Sequence, residues 1–256
     1  MLYRTILILT TVILFAQNAI ASPLENRLQQ YPQWNNKPPA EIAQGDLYYP
    51  QWMAGTWSVE STLKEQIAPL APEVVTPGFN DNQQYLDRPV TFLVRFKTKD
   101  ERPQKKIFFP QLNNNKQNFV VADRVFNGTN IAAAYLGTNN VFKVKVDPEN
   151  VNRQLTLLEG DRKLISTVIK RATETPAPNH FIATEVTKQL FESPARFYLN
   201  EVETTSDYQL TATGNVQAQQ FTAIYLSPQD PDYFKAINRP VAIYRYQLNL
   251  KKNKSS

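Results

Sequence analysis

From Trp52 onward the apolar residues of this chain recur at every second position, and that period leaves few folds open. Val90, Phe92, Val94 and Phe96 alternate with Thr91, Leu93, Arg95 and Lys97. Phe142, Val144 and Val146 alternate with Lys143 and Lys145; Ile182, Thr184, Val186 and Leu190 share a parity, as do Tyr208, Leu210 and Ala212, and Val241, Ile243 and Arg245. A strand sends successive side chains to opposite faces, so each run reads as a half-buried antiparallel strand with one face inward and one wet. Further strands are predicted over Ser58–Leu63, Lys106–Leu112, Phe119–Phe126, Gln154–Glu159, Lys163–Arg171, Arg196–Thr204 and Phe221–Leu226. About ten short strands at regular spacing predict an all-β barrel or sandwich. Helical signals are few. Asn130–Leu136 has an Asn cap in front and Gly137 behind, and Asp230–Ile237 precedes the last strand.

The N-terminus reads as a leader. Arg4 is followed by a nearly unbroken apolar run from Thr5 to Ala16, and Ala19-Ile20-Ala21 is a small-x-small cleavage site before Ser22. This is the pattern of a secretory signal peptide over residues 1–21, which places the mature protein outside the cytoplasm. The alternative is an uncleaved anchor, but the run falls short of the roughly 20 residues that span a bilayer. After cleavage no stable membrane span is expected. Cysteine is absent, so an exported chain of this kind holds no disulfide, thiol nucleophile or thiolate metal site and rests on its hydrophobic core.

Three regions follow the leader. Residues 22–49 are polar and proline-rich and read as an extended arm, whose Tyr31, Trp34, Tyr48 and Tyr49 suggest contact with the rest of the protein. Residues 50–250 form the β domain, and 251–256 a short basic tail, expected to fray. The formal charge of +5 falls by one when Arg4 leaves with the leader. Basic residues cluster at Arg95, Lys97, Lys99, Arg102, Lys105 and Lys106, but Asp100 and Glu101 interrupt them. This reads as a solvated rim, and no nucleic-acid partner is expected.

Catalytic and cofactor motifs are sought without result. The chain has one histidine, His180, beside a Pro-rich turn, where an exposed strand-start residue is expected in place of a member of a catalytic triad. Seven glycines are too sparse for a phosphate or dinucleotide loop, so no cofactor is expected, and with one histidine only an all-oxygen metal site would be open. Asp230-Pro231-Asp232 is better read as helix capping. Glu201 and Glu203 share a strand face and read as an outer charged stripe. Asp123-Arg124 interrupts an apolar stretch, either as a buried or pocket-lining ion pair or as a strand end.

Tyr49-Pro50-Gln51-Trp52-Met53-Ala54-Gly55-Thr56-Trp57 opens the first strand, and its Gly-Thr-Trp resembles the Gly-x-Trp signature of lipocalin-like barrels, the calycins. The resemblance implies an antiparallel barrel with one or two short helices, Gly55 bending the chain, Trp57 plugging the closed end, and Arg245 packed across the indole. Ser206-Asp207-Tyr208 resembles that family's turn between late strands, and the Pro-rich stretch Lys64–Arg88 its mouth-covering loop. The Tyr-Pro-x-Trp-Met-x-Gly-Thr-Trp run, with Asp123-Arg124-Val125-Phe126-Asn127 and Asn152-Arg153-Gln154, also resembles an exported family of cyanobacteria and chloroplasts, which implies the periplasm or the thylakoid lumen.

Two functions remain. In the first, a non-enzymatic barrel holds a small hydrophobic ligand, of the lipid or pigment class, between Phe92, Phe96, Phe142, Val144 and Leu210, with Tyr135 at the mouth. In the second, the core is filled and the aromatic arm docks a partner, such as a membrane complex; truncating the arm then leaves melting nearly unchanged.

Overall fold

The structure, a computed structural model, describes residues 21–101, 117–194 and 197–253. Residues 1–20 of the leader, the predicted strand Lys106–Leu112, and Arg102, Lys105 and Lys106 of the basic cluster lie outside the described residues. In chain order the elements are α1 (Pro23–Gln29), β1 (Glu41–Ile42), β2 (Tyr48–Tyr49), β3 (Gly55–Ile67), β4 (Pro89–Glu101), β5 (Gln117–Ala122), α2 (Arg124–Leu136), β6 (Val141–Val146), β7 (Arg153–Leu158), β8 (Arg162–Ala177), β9 (His180–Glu192), β10 (Phe197–Leu210), β11 (Val216–Leu226), α3 (Tyr233–Ala236) and β12 (Ala242–Lys252).

The strands make one strongly curled antiparallel sheet, ordered β2-β5-β4-β3-β12-β11-β10-β9-β8-β7-β6, with β1 added to β8. The all-β barrel expectation holds. The first long strand, β3, pairs with the last, β12, as an up-and-down barrel requires. The ring is left open between its two edge strands, β2 (paired on β5) and β6, and the chain runs from β5 to β6 through α2, which packs on both β4 and β6. Gly128 permits the approach to β6, since a Cβ there would meet Val144 Cγ1 at 3.1 Å and Gln154 Nε2 at 2.7 Å.

Inside the curl, Met53, Trp57, Val59, Val94, Phe96 and Val120 form the largest apolar cluster, with Val216 and Leu250 across from them. At the other end Val74 packs with Leu226, Ala236 and Val241, so the 68–88 loop does lie over one end of the barrel.

Residues 22–40 differ from an extended arm. Pro23 to Gln29 is a helix, because Ser22 and Glu25 form a capping box and Pro23 occupies the first turn. Leu24, Arg27 and Trp34 are buried, so this segment is a strap that covers the outer face of the sheet. The charged stripe expected there is therefore not wet. Glu203 is fully buried and accepts from Arg27 Nε at 3.1 Å, Arg27 Nη2 at 2.7 Å, Tyr225 OH at 2.6 Å and Thr205 Oγ1 at 2.9 Å. Arg27 stacks on Trp34 at 3.9 Å, and Trp34 packs on Phe221. Lys37 reaches Glu201 at 2.6 Å, Tyr31 OH donates to Glu65 at 2.9 Å, and Leu24 N donates to Glu174 Oε1 at 3.0 Å. Four strand carboxylates thus hold the strap.

Other expectations change in detail. Predicted strands Arg196–Thr204 and Tyr208–Ala212 are one strand, β10, so Ser206-Asp207-Tyr208 is strand interior and no turn. The helix predicted at Asn130 begins at Arg124, because Asp123 caps it by accepting from Phe126 N at 3.4 Å. Lys251 and Lys252 of the basic tail belong to β12, and Asn253 N donates to Thr56 O at 2.9 Å; residues 254–256 lie outside the described residues.

Candidate functional site

The curl of the sheet encloses a cavity of about 300 Å3, at the small end of ligand sites. Its apolar side is built by inward parity on β3, β4 and β12: Val59, Phe92, Val94, Phe96, Leu248 and Leu250. The polar part comes from Gln220 and Thr222 on β11, Tyr208 on β10 and Ser61 on β3. α2 closes the gap with one face, Asn127, Ile131 and Tyr135, at the i, i+4, i+8 spacing that aligns side chains along a helix. Ile131 and Tyr135 are each 37% exposed, so the opening lies along this helix.

Tyr135 divides the space. Its ring stands 6.2 Å from Phe92, and its hydroxyl contacts Ser61 Oγ at 3.3 Å. On its other side a chamber of about 190 Å3 runs under the loop, between Asn82, Tyr85, Arg88 and Val90. Ser61, Tyr135 and Tyr246 are walls of both chambers.

The floor is aromatic. Tyr49 lies 4.7 Å from Phe96, 5.7 Å from Phe181 and 6.5 Å from Tyr208, centroid to centroid. Burial pushes the phenols of Tyr49 and Tyr246 well above their ordinary range and raises that of Tyr208, so each stays a neutral hydroxyl at neutral pH. Behind Tyr49 and Tyr208, Glu185 accepts from Arg171 Nε at 2.8 Å and Nη2 at 2.6 Å, with Arg124 Nη2 3.5 Å away. Asn152 accepts from the same Arg171 at 2.9 Å.

Of the ligand residues expected from sequence, the structure brings Phe92, Phe96 and Tyr135 together at the cavity. Phe142, Val144 and Leu210 are elsewhere. A register shift between Val141 and Lys143 turns Phe142 out, leaving it 67% exposed. Val144 is buried beneath α2 beside Gly128. Leu210, at the end of β10, packs on the apolar cluster.

Asp123 and Arg124 do not pair with each other. Asp123 binds Arg95 at 2.8 Å on one side of the α2 N-terminus, and Arg124 turns inward to Glu185. Arg245 does not cover Trp57: it sits on the outer face, where its Nε donates to Glu65 at 3.2 Å. The cation over the indole is Lys252, 5.5 Å from the ring and directly opposite Trp57 in the β3–β12 register. Gly55 has φ 117°, and a Cβ there would meet Lys252 Cε at 3.2 Å, so the glycine serves both the bend and the lysine stem. Trp57 Nε1 donates to Met53 O at 2.8 Å. His180 opens β9 as expected, and pairs with Asp207 at 2.6 Å.

Ser61, Gln220, Thr222 and Tyr246 were not singled out from sequence. A signal existed: Ser61 breaks the inward row Trp57, Val59, Leu63, and Gln220 with Thr222 breaks the row Val216, Ala218, Ile224, Leu226. A polar residue in an otherwise apolar inward row faces either a partner or a cavity.

A family model described as a domain of unknown function (DUF6816) matches residues 41–254, a span that starts just after the strap. No curated protein and no solved structure matches the chain.

Proposed function

The chain belongs to the DUF6816 family, and we propose that its half-barrel is a non-enzymatic binding module for a small hydrophobic ligand of the lipid or pigment class. The observation that carries this is the cavity: about 300 Å3, lined by aromatic and aliphatic side chains with a few convergent polar groups, and open along α2. A distant kinship with lipocalin-like barrels goes with this reading. The Gly55-Thr56-Trp57 opening, the β3–β12 closure and a cation over the indole support it, with Lys252 in place of an arginine. The leader at residues 1–21 supports export, to a periplasm or a thylakoid lumen.

The alternative, an assembly protein that docks through its aromatic arm, is the weaker reading. Tyr31 and Trp34 pack against Phe221 of the chain's own sheet, and Tyr49 is a cavity wall. Native mass spectrometry of Ser22–Ser256 purified from its host, with solvent extraction of the same sample, tests the choice. A bound apolar mass that disappears on extraction supports the carrier. A clean apo mass from the host counts against it and turns attention to cross-linked partners.

A further inference from the structure

Taken with the binding reading above, on which this step rests, the lining of the cavity restricts what can occupy it. We infer that the site selects an uncharged, flat ring bearing a hydroxyl or carbonyl group. None of the residues around the cavity carries a charge. Glu185, Arg124 and Arg171 stand behind Tyr49 and Tyr208 and compensate one another, and Arg88 lies in the second chamber, on the other side of Tyr135. A charged ligand in the main cavity would lose its hydration with no counter-ion among the walls, which costs far more than desolvating a neutral polar group.

The polar groups fall into two kinds. Asn127 is structural, since its Oδ1 accepts from Arg95 N at 2.6 Å and its Nδ2 donates to Arg95 O at 3.2 Å. Gln220 and Thr222 are different. Gln220 Oε1 has only a long contact from Ser206 Oγ at 3.5 Å, and the Gln220 amide N–H and the Thr222 hydroxyl make no side-chain hydrogen bond among the described residues. Two positions apart on β11, they face the same way and offer a donor and acceptor pair to one ligand oxygen. Phe92, Phe96, Tyr49 and Tyr208 line the same cavity, and Tyr246 is the strand neighbour of Gln220. Aromatic walls favour offset or edge contacts with a flat ring.

Naphthalene, 2-naphthol and 2-naphthoate share one ring system and differ only in the polar group. Titrated into Ser22–Ser256 at pH 7 and followed by calorimetry, 2-naphthol is expected to bind about tenfold or more tightly than either of the others. Gln220→Leu is expected to bring 2-naphthol down to the level of naphthalene, with Thr222→Val as a second variant and thermal melts to confirm that both fold. Equal or tighter binding of 2-naphthoate overturns the neutral-ligand assignment and leaves the binding reading intact. Binding of none of the three overturns the ring assignment, and the binding reading then stands or falls on the co-purified mass. Retention of full 2-naphthol affinity in both folded variants overturns the role of β11.

Discussion

Arg27 grips Glu203 through two hydrogen bonds, joining positions 176 residues apart and burying both charges, at 5% and 0% exposure. Tyr225 completes the site by donating to the same carboxylate at 2.6 Å. Every acceptor on Glu203 that faces the strap is thus used.

Removing one partner strands the other. Arg27→Met or Glu203→Leu is expected to cost about 3–5 kcal/mol in urea unfolding, since an uncompensated buried charge or a broken network remains. The double variant Arg27→Met/Glu203→Leu should cost much less than the sum of the singles. Simple additivity would show that the pair is not coupled in the folded protein. Deleting residues 22–40 should also lower the melting temperature, contrary to a dispensable arm, because Trp34 and Phe221 lose each other.

Alkaline pH should unfold the protein cooperatively. Burial, followed by the charge of Glu203, pushes the Tyr225 phenol far up, and burial raises Tyr49, Tyr208 and Tyr246 as well. An unfolded tyrosine ionises near pH 10 (roughly). Below that pH both states hold the proton and these groups add no pH dependence. Above it only the unfolded chain releases the proton, so stability falls by up to about 1.4 kcal/mol per pH unit for each such tyrosine. Tyrosinate absorbance and loss of far-ultraviolet circular dichroism should rise together. Ionisation of these phenols with the sheet intact would contradict the burial described.

The crossing of α2 over the gap depends on Gly128. Gly128→Leu is expected to cost roughly 1–3 kcal/mol by overpacking, even though leucine favours the helix. The side chain would run into Val144 on β6. Unchanged stability with unchanged near-ultraviolet circular dichroism would mean that α2 does not sit against β6.

Trp57 and its cation can be separated from Arg245. Trp57→Ala should cost about 3–5 kcal/mol as a large core truncation. Lys252→Ala should shift the fluorescence of the indole, whereas Arg245→Ala should leave that fluorescence alone and loosen only the Glu65–Tyr31 contact of the strap. A fluorescence shift from Arg245→Ala and none from Lys252→Ala would reverse the assignment.

The strands were legible because burial on one face imposes a period of two, as in Val90 to Phe96, and the barrel followed from their number. Side-chain destinations were less so. Arg245 and Lys252 lie on one strand, but their parity differs, and only the register to β3 shows which one reaches Trp57. Phe142 fitted the inward pattern until a bulge broke it. Val125 and Phe126 extend a β-like run, and Asp123 as a helix cap carried too short a signal to outweigh them. Glu203 looked wet because alternation says which face a residue takes and is silent on what a distant segment lays over that face. The strap's capping box, Ser22-x-x-Glu25, was in plain sight, but its prolines argued for extended chain.

The unpaired seam between the edge strands β2 and β6 distinguishes this sheet from a closed barrel. A fully closed barrel admits a guest only by unzipping a ladder or by moving an end loop. Here the missing seam is occupied by a helix whose hold on β6 and β7 is side-chain packing of Gly128 against Val144 and Gln154. Ile131 and Tyr135 of that helix stand at the opening, and α2 forms no rung of the sheet, so the opening can widen without unpairing a strand. Under the binding role proposed above, a ligand entering beside α2 would break no rung of the sheet, so exchange would not require partial melting.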